Sequence, residues 1–150
     1  MNYIQKIQLN FLKDVFTGCK IGIDNSDKNN IAFCSPFYGF MIARKDCYIN
    51  TVMPEFRNNT GMIYSITEAV YDLTQYYPTG IEETLGKRKL TQYQSKNGDK
   101  TYIDSKYVKI LCIDKDFSLY AKDNKSMVHI HDSRGIPYAV CMPVVREADK

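Results

Sequence analysis

The chain has 150 residues, of which 44% are hydrophobic and 25% are charged, and its net charge is +3. These values are typical of one soluble globular domain over residues 1–150, long enough to bury about two thirds of its unfolded surface without cross-links. They exclude a membrane-spanning helix, because no apolar run approaches the length of a bilayer crossing. Basic residues are interleaved with acidic ones, so a nucleic-acid partner is compatible with the charge but is not implied by it.

The N-terminus and the cysteines both indicate an intracellular protein. Met1–Thr17 is not expected to be a signal peptide, because Lys6, Lys13 and Asp14 interrupt any apolar segment. The cysteines are odd in number and lack Cys-x-x-Cys spacing, which favours reduced, buried thiols over disulfides or a zinc site. The five are Cys19, Cys34, Cys47, Cys112 and Cys141. We therefore expect a cytoplasmic location.

The first third of the chain is predicted to form one helix and a three-stranded meander. Apolar residues recur every three or four positions over Tyr3–Phe16, which predicts an amphipathic helix that Gly18 ends. Turn residues then separate three predicted strands, Cys19–Ile23, Asn30–Ser35 and Tyr38–Arg44. Beyond them, Tyr48–Met53 is predicted to be extended, followed by Pro54 and a polar loop at residues 57–61.

Two capping-box patterns predict helices in the middle of the chain. In Ser65-Ile66-Thr67-Glu68 the hydroxyl and the carboxylate can each satisfy a free backbone amide, and an apolar stripe continues as far as Pro78. That stripe consists of Ile66, Val70, Leu73 and Tyr76 or Tyr77. Thr79-Gly80-Ile81-Glu82 repeats the pattern on a shorter scale before Gly86. A hairpin is predicted next, from Lys89–Gln94 and Lys100–Ile103, because Asn97-Gly98 favours a tight turn with positive φ at both residues.

The last third repeats the order of the first. Asp104 or Ser105 is predicted to cap a third helix that ends before Asp114, with an apolar side formed by Tyr107, Val108, Ile110 and Leu111. Three predicted strands follow, at Phe117–Ala121, Met127–His131 and Ile136–Val144.

The final strand is predicted to lie in the core. A period of two places Ala139 and Cys141 on one face and a set of larger residues on the other, so both faces can be covered. The larger residues are Ile136, Tyr138, Val140, Met142 and Val144. Pro143 has no backbone donor, so strand pairing should stop near Met142 and leave Met142–Val144 as an apolar lip.

A helix followed by three strands therefore occurs twice, at residues 3–44 and 104–145, with a helix and a hairpin inserted between. The predicted fold class is α+β, in which two helix-plus-antiparallel-meander repeats, related by a pseudo-twofold, join their sheets and place both helices on one side. This arrangement resembles one domain of the DNA sliding clamps. Tyr138–Arg146 is similar to the end of the bacterial clamp, where a Val/Met-Pro-Val/Met-Arg run closes the chain.

The resemblance implies a non-enzymatic binding module, such as a single clamp-like domain of a phage or mobile genetic element. Its role would be that of a replication accessory or an inhibitor of a host or defence factor, with a protein partner and with DNA as a further ligand. The family's peptide pocket would lie beside Met142, Pro143 and Val144, for which ordinary core packing is the alternative. An oligomer is compatible with this reading.

The resemblance also implies which residues would face DNA. The family's helices line the DNA, and the outward basic residues of the two corresponding helices here are Lys6, Lys13, Lys106 and Lys109. Lys6 and Lys13 are seven apart and so share one helix face, where they can approach phosphates. Independently of the resemblance, Lys87, Arg88 and Lys89 form a short basic cluster that can contact phosphates. An ordinary solvated surface is the alternative for both groups.

A small metal- or thiol-dependent enzyme is the alternative function. His129 and His131 point the same way on a strand, beside Asp132, and can bind a metal if a further ligand comes from elsewhere; a polar outward face is the other interpretation. A cysteine nucleophile such as Cys34 would need a histidine that the spacing does not place nearby. No nucleotide, phosphate-loop, hydrolase or zinc-protease motif is present, so no cofactor is expected. A self-associating protein that pairs through exposed strand edges is a third hypothesis.

Overall fold

The computed structural model describes residues 2–15, 20–49, 56–68, 72–112 and 114–145. In this part of the chain three α-helices pack on one mixed sheet of ten strands, an α+β fold. The helices are α1 Tyr3–Val15, α2 Met62–Thr67 and α3 Ser105–Leu111. The strands are β1 Ile21–Asp24, β2 Asn30–Cys34, β3 Tyr38–Ala43, β4 Phe56–Asn58, β5 Thr74–Leu85, β6 Arg88–Ser95, β7 Lys100–Asp104, β8 Ser118–Ala121, β9 Val128–His131 and β10 Pro137–Cys141. None of the described helices combines the length and hydropathy required to cross a bilayer.

The two meanders lie side by side in the centre of the sheet. The strand order is β4-β1-β2-β3-β10-β9-β8-β5-β6-β7, and the pairs are antiparallel except for β1 with β4. The meanders join through β3 and β10, where Phe40 is opposite Ala139. Past β10, the Val144 amide donates to the Tyr102 carbonyl of β7, the strand at one end of the order, at 2.8 Å. The sheet therefore curves strongly between β10 and β7.

Helices α1 and α3 cover one face of this curved sheet and α2 covers the other. Ile7 and Phe11 of α1 and Leu111 of α3 are buried in the larger core cluster. On the opposite face Ile66 of α2 packs with Ala32 and Val140 in a smaller cluster. Each large apolar side chain buried in this way contributes about 1.5–3 kcal/mol, which offsets the entropy lost on ordering the helices.

The second helix is present, but its predicted extent from Ser65 to Tyr77 is wrong, because α2 covers Met62–Thr67 and residues 74–77 belong to β5. Ser65 therefore lies inside α2 and not at its start. Its hydroxyl donates back to the Gly61 carbonyl at 3.0 Å and does not act as an N-cap. The predicted short helix at Thr79–Glu82 is also wrong, because this stretch lies within β5. β5 pairs with β6 from Tyr76 to Leu85, and tyrosine, threonine and isoleucine favour strands once such a partner is available.

The predicted hairpin of β6 and β7 is confirmed, but its turn differs. Gly98 has a φ of 91°, whereas no described residue other than glycine, Asn97 included, has a positive φ. The loop is wider than a two-residue turn, because the Ser95 amide donates to the Asp99 carbonyl at 2.9 Å. The tight two-residue turn occurs instead in the hairpin of β5 and β6, at Gly86 and Lys87.

The final strand differs from its prediction at Tyr138, Met142 and Ile136. Val140 is buried at 3% exposure, and strand pairing ends at Cys141, as predicted. The register shifts between Pro137 and Ala139, however, so Tyr138 is an extra residue in a β-bulge and its side chain turns to the α1 and α3 face. There the Tyr138 hydroxyl donates to the Leu111 carbonyl at 2.6 Å. Met142 and Ile136 are each 45% exposed rather than in the core.

The other predicted helices and strands agree with the structure, except that the extended stretch predicted at Tyr48–Met53 lies mostly outside the described residues. The Asp104 carboxylate caps α3 by accepting the Lys106 amide at 3.0 Å, and the strands of both meanders overlap their predicted ranges. Arg44–Asp46 forms a turn of 3-10 helix, and part of the predicted loop at 57–61 is strand β4, paired in parallel with β1. Several predicted residues lie outside the described residues: Phe16, Gly18, Cys19, Met53, Pro54, Val70 and Arg146.

A buried carboxylate attaches α2 to the sheet. Asp24, the last residue of β1, is fully buried, and its carboxylate accepts the Ile63 amide at 2.9 Å and the Ser26 amide at 3.0 Å. Gly61, at the start of α2, provides no side-chain cap, so Asp24 supplies this acceptor from another element. Burial by itself raises the pKa of Asp24, but the hydrogen bonds from Ser26 and from the α2 amides outweigh it and lower the pKa below its usual range.

Asp24→Asn is expected to lower the free energy of unfolding at neutral pH by about 1–3 kcal/mol, since a charge-assisted acceptor is lost. A carboxyl group with a lowered pKa stabilises the fold above its unfolded pKa, near 4, and this stabilisation disappears as the pH falls through the folded pKa. The variant should therefore lose less stability than the wild type between about pH 5 and pH 2. Urea unfolding across this range is the measurement, with Asp99→Asn on an exposed turn as the control. Equal acid sensitivity of Asp24→Asn and wild type would contradict this account.

Candidate functional site

An open groove of about 610 Å³ lies between α1, α3 and the tip of the β5–β6 hairpin. We call it the basic groove, because its lining includes six cationic side chains: Lys13, Lys87, Arg88, Lys89, Lys106 and Lys109. Asp14 and Asp104 are the only carboxylates among the described residues that line it. The positive excess of the basic groove is larger than the net charge of +3 on the whole chain. Charge that is diluted along the sequence is thus concentrated at one place in the fold.

Three separate elements bring these cations together. Lys13 lies in the last turn of α1, and Lys106 and Lys109, three residues apart on α3, lie on neighbouring parts of one helix face. Gly86 has a φ of 63°, which a two-residue hairpin loop with glycine first requires, so Lys87 stands at the tip of the hairpin. Leu85 and Arg88 form the last pair of that hairpin.

Carboxylates hold three of the six cations in place. Arg88 Nε lies 3.0 Å from Asp104 Oδ2, and Lys106 Nζ pairs with the Asp14 carboxylate, which is buried. Lys89 Nζ lies 4.0 Å from Glu82 Oε1, a weaker exposed pair. The others, Lys13, Lys87 and Lys109, form no ion pair with any residue that the structure describes. These three ammonium groups are the ones available to an anionic ligand.

Two aromatic rings form a ledge that continues from the basic groove. Phe37, in the turn between β2 and β3, is 49% exposed and stacks on Tyr107 of α3, with 5.9 Å between ring centroids and 18° between ring planes. Lys106 Nζ lies 5.9 Å from the Tyr107 centroid. The Tyr107 ring also contacts Tyr38, whose hydroxyl donates to Asp14 at 2.7 Å. We call Phe37 and Tyr107 the aromatic ledge.

Six of the seven basic residues identified in the sequence therefore line one groove. Lys6 is exposed on α1 but does not line it. Lys6 precedes Lys13 by seven residues, which is about 10 Å along a helix axis, and the groove lies at the far end of α1. No sequence signal joins the cluster at residues 87–89 to the helix lysines, because the contact between the hairpin and the helices is made only in the folded chain.

The three residues predicted to bind a protein partner, Met142, Pro143 and Val144, do not line one cavity together. Met142 lines a small apolar cavity of about 100 Å³ with Phe37, Met62 and Met127, which we call the methionine cavity. Pro143 and Val144 do not line it, and the Val144 amide is directed to the Tyr102 carbonyl on β7. Of the three residues of the predicted lip, Met142 is the one that lines this cavity.

The part of the chain that the structure describes places no further metal ligands around the histidine pair. Val128 and Ile130 are buried as predicted, but His129 is also buried, at 8% exposure, so the expected outward polar face is wrong at that position. His131 stacks on Tyr120 with 4.4 Å between ring centroids. Burial lowers the pKa of both histidines. Among the described residues no group of three or more His, Cys, Asp or Glu side chains could hold a metal ion.

Burial makes Cys34 and Cys141 poor nucleophiles. Cys34 and Cys141 are buried and reduced, as predicted, and Cys47 and Cys112 are half-buried. Burial raises the pKa of Cys34 above its usual range and raises that of Cys141 to about 12, so both remain protonated thiols at neutral pH. The Asn59 side-chain amide also donates a hydrogen bond to the Cys34 sulfur at 3.3 Å.

The sequence did not indicate the aromatic ledge or the inward position of Asp14. The signal for Phe37 was its position directly after Ser35-Pro36 in a turn, where a large apolar side chain has no core to enter. Asp14 gave no such signal, because on a helical wheel it belongs to the polar side of α1. Only the packing of α1 against Tyr38 and α3 turns it inward.

Comparison with protein-family models, with curated proteins and with solved structures finds no match for this chain.

Proposed function

We propose that this protein is a non-enzymatic binding module that holds nucleic acid, and specifically DNA, by its phosphate backbone in the basic groove. One observation carries the proposal: six cations from α1, α3 and the β5–β6 hairpin converge on a single groove. Lysine and arginine side chains bind phosphates mainly by releasing the counterions that surround the nucleic acid. An ordinary surface intersperses charges of both signs, whereas the lining of this groove has six cations and two carboxylates.

The expected affinity follows from the number of available cations. If Lys13, Lys87 and Lys109 each neutralise one phosphate, the logarithm of the binding constant falls with the logarithm of the salt concentration with a slope of about −2 to −3. Binding of this kind is independent of base sequence and weak, with a dissociation constant of about 10⁻⁴ to 10⁻⁶ M at physiological salt.

A sliding-clamp-like organisation is part of this proposal. It is supported by the order of the sheet, in which two helix-plus-meander segments adjoin through β3 and β10, and by the position of α1 and α3 on one face beside the basic groove. A module of this kind in the cytoplasm would act as a replication accessory or as an inhibitor of a host or defence factor, in a phage or mobile genetic element. The lack of a metal cluster among the described residues and the protonated thiols give no support to the enzyme alternative.

Fluorescence anisotropy with labelled DNA tests the proposed function. We expect binding of single-stranded and duplex DNA of unrelated sequences at about 50 mM salt, weakening steeply by about 200 mM. Absence of binding at the lower salt, or an affinity that does not change between the two salt concentrations, would show that the groove does not hold phosphates.

A protein partner at the methionine cavity is a second candidate role, favoured by the exposed Met142 and by the flexible, adaptable methionines around it. A photo-crosslinking amino acid at Met142, compared with one at the exposed Lys122, tests this role in cells. A crosslinked product specific to position 142 is expected, and equal products at the two positions would refute the role.

A further inference from the structure

We infer that the ligand of the basic groove is single-stranded nucleic acid, with one base stacked on Phe37. The inference depends on the proposed function, because it assigns the form of the nucleic acid that the groove holds. It is carried by a different observation, the aromatic ledge that continues from the cations of the groove.

The Phe37 ring is held in a fixed position with much of its surface in solvent. Its own amide donates to the Ser35 hydroxyl at 3.2 Å, and its carbonyl accepts the Met142 amide at 2.9 Å, so the backbone is fixed on both sides. One side of the ring is stacked on Tyr107, and 49% of the residue remains exposed. A rigid aromatic ring exposed in this way loses little entropy when a flat ligand covers it.

The ledge adjoins the basic groove at Lys106. Tyr107 follows Lys106 directly in α3, and Lys106 Nζ lies 5.9 Å from the Tyr107 centroid. Lys106 in turn pairs with Asp14 in the lining of the basic groove. A strand whose phosphates follow the groove therefore comes to the ledge at the Lys106 end.

This combination distinguishes a single strand from a duplex. Proteins that bind single strands combine a cationic groove for the backbone with aromatic rings on which bases stack, and the stacking tolerates any sequence because every base has a flat face. In a duplex the base faces are covered by their neighbours, so a ring at the edge of the groove gains nothing unless a base is first extruded. Phosphate contacts alone would explain the lysines but not an exposed aromatic ring stacked on Tyr107 beside them.

The chain contains no tryptophan, which allows a specific test. In Phe37→Trp the new side chain is the single indole fluorophore, and stacking of a base should quench its emission. Tyr64→Trp is the matched control, because Tyr64 is 67% exposed on α2, on the opposite face of the sheet. The probe is an oligothymidylate of about a dozen nucleotides, a typical site size for single-strand binding, compared with a duplex of equal length.

We expect the oligothymidylate to bind more tightly than the duplex and to quench Phe37→Trp but not Tyr64→Trp. Phe37→Ala should weaken single-strand binding about tenfold, the effect of one lost stacked base, and leave duplex binding unchanged. Duplex binding equal to or tighter than single-strand binding, or wild-type single-strand affinity in Phe37→Ala, would overturn this inference and leave phosphate binding in the groove intact. If neither form binds at low salt, this inference and the proposed function both fail.

Discussion

The double variant Lys13→Gln/Lys109→Gln is expected to bind DNA about 10- to 30-fold more weakly than the wild type, since each lost charge contact costs about 1 kcal/mol in water. Its salt slope should also become shallower by about 1.4 to 1.8, because two of the three available phosphate contacts are gone. Both residues line the basic groove and form no ion pair with a described residue, so their removal leaves the internal pairs of the groove in place. Anisotropy titrations at several salt concentrations measure both effects.

Lys122→Gln/Lys125→Gln is the matched control, because it removes the same amount of charge from the exposed loop between β8 and β9. This control should retain the salt slope of the wild type and nearly all of its affinity. If the two double variants behave alike, net charge and not the basic groove governs DNA binding, and the groove has no special role.

Phe11→Ala is expected to lower the free energy of unfolding by about 3–5 kcal/mol, the usual cost of removing a fully buried aromatic ring. Phe11 is 0% exposed, and its ring centroid lies 5.3 Å from that of Phe40 and 5.7 Å from that of Phe33. With Ile7 it is one of the two α1 side chains that are fully buried in the larger core cluster. Chemical denaturation at neutral pH measures the loss, and a decrease of about 6–20 °C in the melting temperature is expected for a chain of this size.

Leu9→Ala on the same helix is the control, because Leu9 is 40% exposed and its loss should cost well under about 1 kcal/mol. Since α1 carries both Lys13 and Asp14, Phe11→Ala should also reduce DNA affinity at temperatures where the variant remains folded. A loss of stability no larger than that of Leu9→Ala would mean that α1 is not packed on the sheet in this way.

The first and last thirds of the chain were predictable because local and tertiary preferences agree there. Ile4, Ile7 and Phe11 follow the helical period in α1, and the same face enters the core. Asp104 caps α3 as its position suggested, since an N-cap is a contact between residues close in sequence. The β2–β3 and β9–β10 strands were likewise bounded by turn residues that the structure uses as turns.

The middle of the chain was mispredicted where a distant strand decided the outcome. Thr79-Gly80-Ile81-Glu82 satisfies a capping box locally, but Glu82 and Glu83 are paired with Thr91 and Leu90 of β6. The bulge at Tyr138 is a similar case, because a change of register against β9 is invisible in the alternation of β10 itself. Capping patterns and residue periods reflect only contacts between residues close in sequence, whereas strand pairing joins residues that are far apart in sequence.

The amino-acid sequence by itself determined the α+β class, the helix-plus-meander order at both ends and a set of seven basic residues, six of which line the basic groove. These properties depend on periodicity, capping and charge, which each short segment carries within itself. Only the tertiary structure decided that Lys13, Lys87 and Lys109 lie around one groove and that Asp14 faces inward. It also decided that Phe37 stacks on Tyr107. The reason is that the curvature of one sheet brings together segments about ninety residues apart, and that curvature arises from the packing of the whole chain.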